Sequence, residues 1–576
     1  MSYARGMGKK ITATHEQVDD IPAILTQLKN MRVAALLDKH FPTNGNWQGL
    51  SLGWVTVIWL TYILSEGDPR LSQVESWVKT HQRTLSRCWD QLIKARDFND
   101  DRLATVLDYL CVEAHWVEFE RELNERVVRV YDLRPPVARV DSTTASAFVS
   151  PAGMFQLGHS KDHRPDLPPV KIAMAVLDPL GLPLTTTVVA GNTADDPLYL
   201  PEIAKVRMVA QITGLTYIGD CKMAAIGTRA ELVAQGDHYL CPLSAKQLPA
   251  EELDRWLDPV FNGRLVPTAI HVSHADGATD ETDEPVAVGF AYTREQSGKD
   301  QAQQEQHWPE RRLVVRSLQL AARQEQSLRA RVERAVTEIK ARDERKPGKK
   351  VLPDEAAAQQ AAEAILSTYR VKGLVHVTVR AKTHEHVKRR YGGRPATTVR
   401  STRVRVQAAR DEAEVAAAAQ RLGWRVYATN HSAAELSLQQ AVAAYRSEYL
   451  IEQGFGRLKG RPLSLQPLYL QYEHRVIGLV SLLSIALRVL VLMQFIVRRS
   501  LQQAGARLKG LYPGQPGRQT AKPTTEMMLR ALRGITLSRI KLKGKTYDHL
   551  TPLNKTQTRI LELLGMPLDI YDEMVT

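Results

Sequence analysis

The sequence predicts an α/β core interrupted by a β-rich α+β insertion and preceded by a helical N-terminal domain. Three patterns lead there. Short apolar runs alternate with helical stretches over residues 135–245 and again over 422–497. Period-two apolar alternation marks much of residues 246–421, and residues before 130 carry helical periodicity with few strand signals. A chain of 576 residues exceeds what one core usually organises, so several domains are expected. With 44% hydrophobic and 24% charged residues, the composition is that of a soluble globular protein.

In chain order, Leu50 to Ser65 reads as an apolar helix closed by Gly67, Asp68 and Pro69. Asn99 or Asp100 is placed to cap a helix carrying Leu103, Val106, Leu107 and Leu110. This N-terminal part, residues 1–130, is a scaffold or a DNA-binding unit. Strands are then expected at Val137–Ser142, Ile172–Asp178 and Thr185–Ala190, a helix from Asp195 to about Ile212, and strands at Leu215–Asp220 and Tyr239–Leu243. In the inserted block, Val286 to Tyr292, Val375 to Val379 and Val404 to Ala408 alternate as strands do. A long helix bears Leu328, Val332, Ala335, Val336 and Ile339 on one stripe, and the loop Arg345–Asp354 leads to an Ala-rich second helix. The acidic run from Asp276 to Glu284 reads as a solvated loop, with cation binding as the alternative. After a strand at Arg425–Thr429, one helix is expected from about Ala434 past Lys459. Val476 to Val497 is the most apolar stretch; Arg488 interrupts it, which favours a buried helix over a membrane span. A short helix near Thr556–Leu564 shows that the last segment, 498–576, is not wholly irregular.

The net charge of +14 and a pI near 9.5 point to a polyanionic partner, nucleic acid first. Between Arg498 and Lys545 twelve Lys or Arg face one acid, Glu526, so most of the excess is local. Cys88, Cys111, Cys221 and Cys241 form no CxxC pair and no zinc-ligand spacing, as free thiols of a reducing cytoplasm would. The first residues, MSYARGMGKK, contain no apolar core of signal-peptide length. A cytoplasmic protein with no membrane partner is the expectation.

Three carboxylates sit where strands or helices would deliver them to one site. Asp141 ends the strand ARVDSTT, Asp220 ends LTYIGD, and Glu452 lies within the helix AVAAYRSEYLIEQGFGRLKG. Clustered carboxylates suit Mg²⁺ or Mn²⁺, hard ions that prefer oxygen ligands. Two such ions roughly 4 Å apart activate an attacking oxygen and stabilise a leaving one in phosphodiester chemistry. On one continuous helix Tyr445, Glu452 and Lys459, spaced by seven, drift by only about 20° per step and share a face, which Glu448 joins.

This helix resembles the signature of bacterial insertion-sequence DDE transposases: Tyr, two residues, Arg, three residues, Glu, six residues, Lys. Tyr445, Glu452 and Lys459 fit that spacing, while Glu448 stands at the family's Arg position. VDSTT at Val140–Thr144 and YIGDCKM around Asp220 are similar to the two aspartate motifs. GHSKDHRPDLPPVK (Gly158–Lys171), GNTADD (Gly191–Asp196) and GWRVYATN (Gly423–Asn430) resemble further family blocks, so the likeness covers about residues 135–245 and 420–490. It implies a ribonuclease-H-like catalytic core, two Mg²⁺ or Mn²⁺ ions on Asp141, Asp220 and Glu452, and cleavage and strand transfer of double-stranded DNA at element ends by a homodimer. The spacings, 79 residues from Asp141 to Asp220 and 232 from Asp220 to Glu452, leave room for an inserted domain in the second interval.

His159, Lys161 and Arg164, together with Tyr445 and Lys459, are candidate DNA contacts, as are Lys541, Lys543 and Lys545 in the basic segment. Asp178, Asp195 and Asp196 read as turn and cap residues. Trp308 and Trp424 are expected in the core, with stacking on an extruded base as the alternative. Two other functions fit the same residues: a repurposed DNA-binding protein without catalysis, and a metal-dependent nuclease that cuts without joining.

Overall fold

The computed structural model describes residues 12–89, 91–133, 137–211, 213–271, 284–342, 352–389, 392, 397–542 and 545–575. Most of the acidic run Asp276–Glu284, most of the loop Arg345–Asp354 and Lys543 lie outside them. The first strand, β1 (Thr12–Gln17), precedes helices at Ile21–Asn30, Val33–His40, Leu52–Glu66, Leu71–Thr80, Gln82–Trp89, Asp100–Leu110 and Glu113–Val130. Local chemistry sets their ends. Ser51 accepts from the Trp54 amide and Gly67 closes the same helix with φ 68°, a left-handed turn that suits glycine. Of the two candidate caps, Asn99 is the one used, accepting from the Arg102 amide.

Strands β2 (Val137–Ser146), β3 (Pro169–Leu177) and β4 (Leu182–Ala190) are successive antiparallel neighbours. The helix Tyr199–Ala210 leads to β5 (Thr216–Ile218), and Ile226–Ala234 leads to β6 (His238–Pro242). Both β5 and β6 run parallel to β2. This is the order of elements read from the alternation of apolar runs. The helix Ala250–Phe261 then precedes β7 (Thr268–Ile270), β8 (Ala287–Lys299) and β9 (Glu305–Ser317). Next come helices Leu318–Ala341 and Glu355–Tyr369, the long hairpin β10 (Val375–Lys388) and β11 (Thr397–Arg410), and the helix Glu412–Gln420. β12 (Trp424–Thr429) returns to the sheet. Among the described residues nine strands form one mixed sheet in the order β4-β3-β2-β5-β6-β12-β9-β8-β7.

The inserted block is therefore not one body. β7, β8 and β9 extend the main sheet, and β9 pairs with β12 throughout, from Trp424 opposite Arg316 to Thr429 opposite Arg311. Leu318–Gln420 builds a core of its own, with Leu328, Val332, Ile339 and Ile365 packed against Val375 and Val406. β9 escapes a reading by alternation because Arg311 and Arg312 interrupt its apolar residues, although both are buried.

The helix Glu473–Gln503 runs through the largest core. It is long and apolar enough to cross a membrane, yet 94% of its most apolar window is buried within the protein. N-terminal helices, β4 and the C-terminal helix Lys555–Leu564 all pack on it, so residues before 130 share a core with the sheet. Arg488, fully buried, donates to Glu120 Oε1 at 2.6 Å, to Ser484 Oγ at 2.8 Å and to the Leu184 carbonyl at 3.0 Å. The last strands are the short pair β13 (Leu508–Lys509) and β14 (Gln519–Thr520), then β15 (Thr536–Leu542) and β16 (Lys545–Leu550). β15 lies between β1 and β16, tying the C-terminal segment to residues 12–17.

Removing one partner of a buried ion pair strands the other charge, at about 3–5 kcal/mol, whereas replacing both with apolar groups is often neutral. Glu120→Leu and Arg488→Met should each lower thermal stability strongly, and the double variant should lose less than the sum. A double-mutant cycle of melting temperatures checks this; strict additivity would show that the pair is not coupled.

Candidate active site at the β2–β5 junction

Asp141 lies within β2. β5 pairs with β2 in parallel register, Val137 opposite Thr216 and Arg139 opposite Ile218. The offset of that register is 79 residues, the same as the spacing of the two aspartates, so Asp220, two residues beyond Ile218, continues level with Asp141. Alternation along each strand then turns both side chains to one face. A narrow cleft there is lined by Arg139, Val140, Asp141, Ile218, Gly219, Asp220, Tyr445, Glu448 and Ile451.

The predicted continuous helix is in fact two, Leu438–Arg446 and Tyr449–Lys459. The chain tightens between them: the Glu448 amide reaches the Tyr445 carbonyl at 3.1 Å and the Ile451 amide reaches that of Glu448 at 3.2 Å. Such i→i+3 bonds stack side chains three apart, which sets Glu448 beside Tyr445 in the cleft. The Ser447 hydroxyl also donates back to the Ala443 carbonyl, a local competitor to regular helix. The shared stripe expected for Tyr445, Glu448, Glu452 and Lys459 is thereby divided. Glu448 lines the cleft, whereas Glu452, in the first turn of the following helix, is exposed.

Each carboxylate has its own surroundings. Asp141 Oδ1 accepts from the Ser142 amide at 2.7 Å and lies 3.6 Å from Lys161 Nζ. Burial pushes its carboxyl up to about 6, against the pull of Lys161, with Asp220 and Asp195 adding to the rise. Asp220 Oδ1 accepts from the Tyr199 hydroxyl at 2.6 Å and from the Lys222 amide at 2.8 Å. Burial, then the charges of Asp220 and Asp141, holds the Tyr199 hydroxyl well above its usual range, so it stays a donor. Glu448 is raised by burial first, then by Asp141 and Glu452.

Two supporting residues escaped the sequence reading. Tyr199 opens the helix after β4, and nothing in DPLYL distinguishes it from a core tyrosine. Arg139, two residues before Asp141 and 2% exposed, donates to Asp178 Oδ2 at 2.7 Å and to the Ala444 carbonyl. A buried cation at the C-terminal end of Leu438–Arg446 complements that helix's dipole and fixes its end beside the aspartates. An arginine amid a strand otherwise read as apolar was the available signal. Asp178 is consequently a buried ion-pair partner rather than a simple turn residue.

The predicted DNA contacts divide. Lys161 Nζ donates to the Ser142 carbonyl at 2.5 Å and so stands against the site. Lys459 turns inward, to Thr143 Oγ1 at 2.9 Å and Asp162 Oδ1 at 2.8 Å; Asp162 also accepts from Gln466 at 2.6 Å. Here Lys459 is a strut between its helix, β2 and the turn at Asp162. Tyr445 is buried and packs against Tyr427, with ring centroids 4.7 Å apart. Arg164 pairs with Asp166 at 2.6 Å, and His159 is exposed on the same turn. Asp195 holds Lys171 at 2.8 Å and Ser142 Oγ at 2.9 Å, one residue from Asp141. Lys541 and Lys545 are exposed at the end of β15 and the start of β16. Trp308 is a core residue whose indole donates to Tyr239 at 2.8 Å, and Trp424 is partly buried. The four cysteines are free thiols.

The donor set at the cleft is all oxygen, which suits a hard divalent cation, and the buried charge of Asp141 would be relieved by one. Among the described residues, however, no three His, Cys, Asp or Glu are gathered closely enough to hold an ion. Asp141 and Asp220 supply a pair; the third carboxylate stands apart.

No family model matches the chain, and no curated protein matches it. Among solved structures it is similar to a piggyBac transposase in a synaptic complex with hairpin DNA, at 9% identity and a TM-score of 0.22, over 51% of this chain. The match spans 62% of that protein, less than two thirds of its length. A likeness at that score does not fix a shared fold.

Since the folded chain holds the Asp141 carboxyl near 6 and the ordinary value is 3.8, ionising it in place opposes folding. Wild-type stability should therefore lose roughly 2–3 kcal/mol as pH rises from about 4 through 6. Asp141→Asn lacks this loss. Its melting temperature should exceed that of wild type at pH 7.5 and converge with it near pH 4. An equal gap at both pH values would remove the electrostatic explanation.

Proposed function

We propose that this chain is a metal-dependent DNA-cutting and DNA-joining enzyme of the insertion-sequence transposase kind, with a ribonuclease-H-like core. The observation that carries this reading is the level placement of Asp141 on β2 and Asp220 just beyond the adjacent parallel β5, with Glu448 lining the same cleft. The motifs VDSTT and YIGDCKM fall at those two places, and the tyrosine, glutamate and lysine of the signature fall on the helices next to them.

Asp141 and Asp220 would hold Mg²⁺ or Mn²⁺, with Glu452, or Glu448 in its stead, as the third carboxylate. Bound there, the metal supplies Lewis acidity for activating water and for neutralising charge on a phosphodiester. The protein's own groups prepare the site. Tyr199 fixes one oxygen of Asp220, leaving the other to face the cleft, and Lys161 offsets the charge of Asp141 next to an incoming phosphate. Arg139 holds the acidic turn against β2. The expected partners are duplex element ends and target DNA, bound by a homodimer in the cytoplasm.

A second reading, a repurposed DNA-binding protein, draws on the absence of a gathered three-carboxylate set among the described residues. A metal-dependent nuclease that cuts without joining is the third. Incubating the full chain with pre-cut and uncut element ends in Mg²⁺ separates the three: joined products, cut products only, or binding alone.

Residues acting as a unit lose most activity when any one is removed. Asp141→Asn, Asp220→Asn and Glu452→Gln should each reduce cleavage by at least about a hundredfold while leaving duplex binding near wild type. Calorimetric Mn²⁺ titration reads the ligands directly. Loss of Mn²⁺ binding in Glu448→Gln but not in Glu452→Gln would assign the third carboxylate to Glu448, and near-normal cutting by either aspartate variant would overturn the reading.

A further inference from the structure

The hairpin β10–β11 has two unlike faces. Val375, Val406 and Ala408 are buried against the helices of the inserted core, and Val377, Val379 and Val404 are packed beside them. Strand alternation turns every residue between these to the opposite side. There Thr378, Arg380 and Lys382 of β10 lie across from Gln407, Arg405 and Arg403 of β11, in that order. All six are exposed.

This face sets like charges directly opposite each other: Arg380 against Arg405, and Lys382 against Arg403. Such cross-strand pairs destabilise a sheet, and acids placed among them would remove the cost. From Thr378 to Lys382 and from Arg403 to Gln407 this face carries none. Among the described residues none of the four cations is within ion-pair distance of a carboxylate, although other arginines of the inserted block, such as Arg329 and Arg410, are so paired. The trough between the strands is lined by these same residues.

We propose that this face of the hairpin is an arm that lies along the phosphate backbone of duplex DNA. Four unpaired cations on an exposed ribbon call for a polyanion, and the six residues from Thr378 to Lys382 and from Arg403 to Gln407 that line this face include no apolar side chain to insert into a membrane. The spacing favours a duplex. Alternate residues of a strand recur about every 6.8 Å, and two successive phosphate steps of one DNA strand rise about the same distance. A two-stranded ribbon also matches the width of the major groove. Arginine's planar fork suits phosphate oxygens, and three of the four cations are arginine. The proposal rests on the DNA reading above and adds a surface remote in sequence from Asp141 and Asp220.

The test is duplex binding by the full chain at several salt concentrations, using a short duplex of random sequence. The variant Arg380→Ala/Lys382→Ala/Arg403→Ala/Arg405→Ala should bind more than tenfold more weakly at low salt. Its slope of log affinity on log salt should be shallower by up to about 3.6, at about 0.9 per neutralised phosphate. Its melting temperature should be unchanged or higher, since like charges have been removed, which separates lost contact from lost folding. Arg380→Lys/Arg403→Lys/Arg405→Lys should keep the wild-type slope. Parallel lines of equal affinity overturn the proposal, as does a loss confined to an acidic protein or to anionic vesicles with duplex binding untouched. Cleavage assays on the same preparations keep the two ideas apart. A flattened slope without metal-dependent cutting by wild type retains the arm and removes the enzyme; normal cutting with an unchanged slope does the reverse.

Discussion

A helix buried on every side constrains the rest of this molecule. In Glu473–Gln503 each residue from Gly478 to Gln494 is buried, so no face is left for solvent. A helix of that kind is stable only when other elements cover its whole circumference. Helices from the N-terminal part, β4, the helix Tyr449–Lys459 and the C-terminal helix Lys555–Leu564 do so. Two glycines let the cover come close. A Cβ on Gly478 would stand 2.2 Å from the Leu107 carbonyl oxygen, so any side chain there would push the Asp100–Leu110 helix away. One on Gly454 would stand 3.1 Å from the terminal methyl of Met174 on β3, a tight approach to which that flexible side chain would have to give.

The site inherits its geometry from that packing. Tyr449–Lys459 is held between the central helix and β3, and Leu438–Arg446 is held at its end by Arg139. What lies between the two helices, the tight turn at Ser447 and Glu448, is thereby brought to the β2–β5 junction. The electrostatic cost is visible in the neighbours. Burial raises the proton affinity of Asp141 and Glu448; the charges of Asp220 and Asp195 add to it at Asp141, those of Asp141, Glu452 and Asp220 add to it at Glu448, and Lys161 is the nearby cation opposing it at Asp141. Tyr199 offers Asp220 a neutral donor instead of a charge. Burial first and repulsion second disfavour charge on these carboxylates, and Lys161, 3.6 Å from Asp141, offsets part of that cost.

Much of this was legible because strands announce themselves locally. The apolar runs around Asp141 and before Asp220 marked β2 and β5, although Asp141 lies within β2 and Asp220 two residues beyond β5, and the spacing of the two aspartates equals the register of the parallel pair. A continuous apolar run marked the central helix, a periodic stripe the first helix of the inserted core, and Ala-rich composition the second. The break at Ser447 was not legible, since Tyr445 to Lys459 keeps helical composition throughout, and the break depends on hydrogen bonds three residues apart rather than four. Lys459 fits a phosphate-binding position by spacing, yet its ammonium is bonded to Asp162, a partner 297 residues away. β9 was missed because its buried arginines look like surface residues until their partners are known. Arg312, for example, is 3% exposed and lies 2.5 Å from Glu310.

The basic charge makes the same point on a larger scale. The segment from Arg498 to Lys545 holds most of the net positive charge, and by composition alone it is the strongest candidate for meeting a polyanion. Several of its cations are nevertheless engaged inside the protein. Arg533 faces Asp19, Asp20 and Glu66, Arg539 is bidentate to Asp548, and Arg499 donates to the Tyr131 carbonyl. These contacts join the C-terminal segment to the N-terminal helices and to β16, so the charge works first as an internal fastening. On β10–β11 the density of charge along the sequence is less conspicuous, because valines and alanines alternate with it. Folding as a ribbon sorts the two sets onto opposite faces and leaves the cations side by side without acids. A cation already facing a carboxylate has little to gain from a phosphate, whereas one facing another cation gains both a partner and relief from repulsion. Affinity for a polyanion follows from where the unpaired charges stand after folding, and the count along the chain is a poor substitute for it.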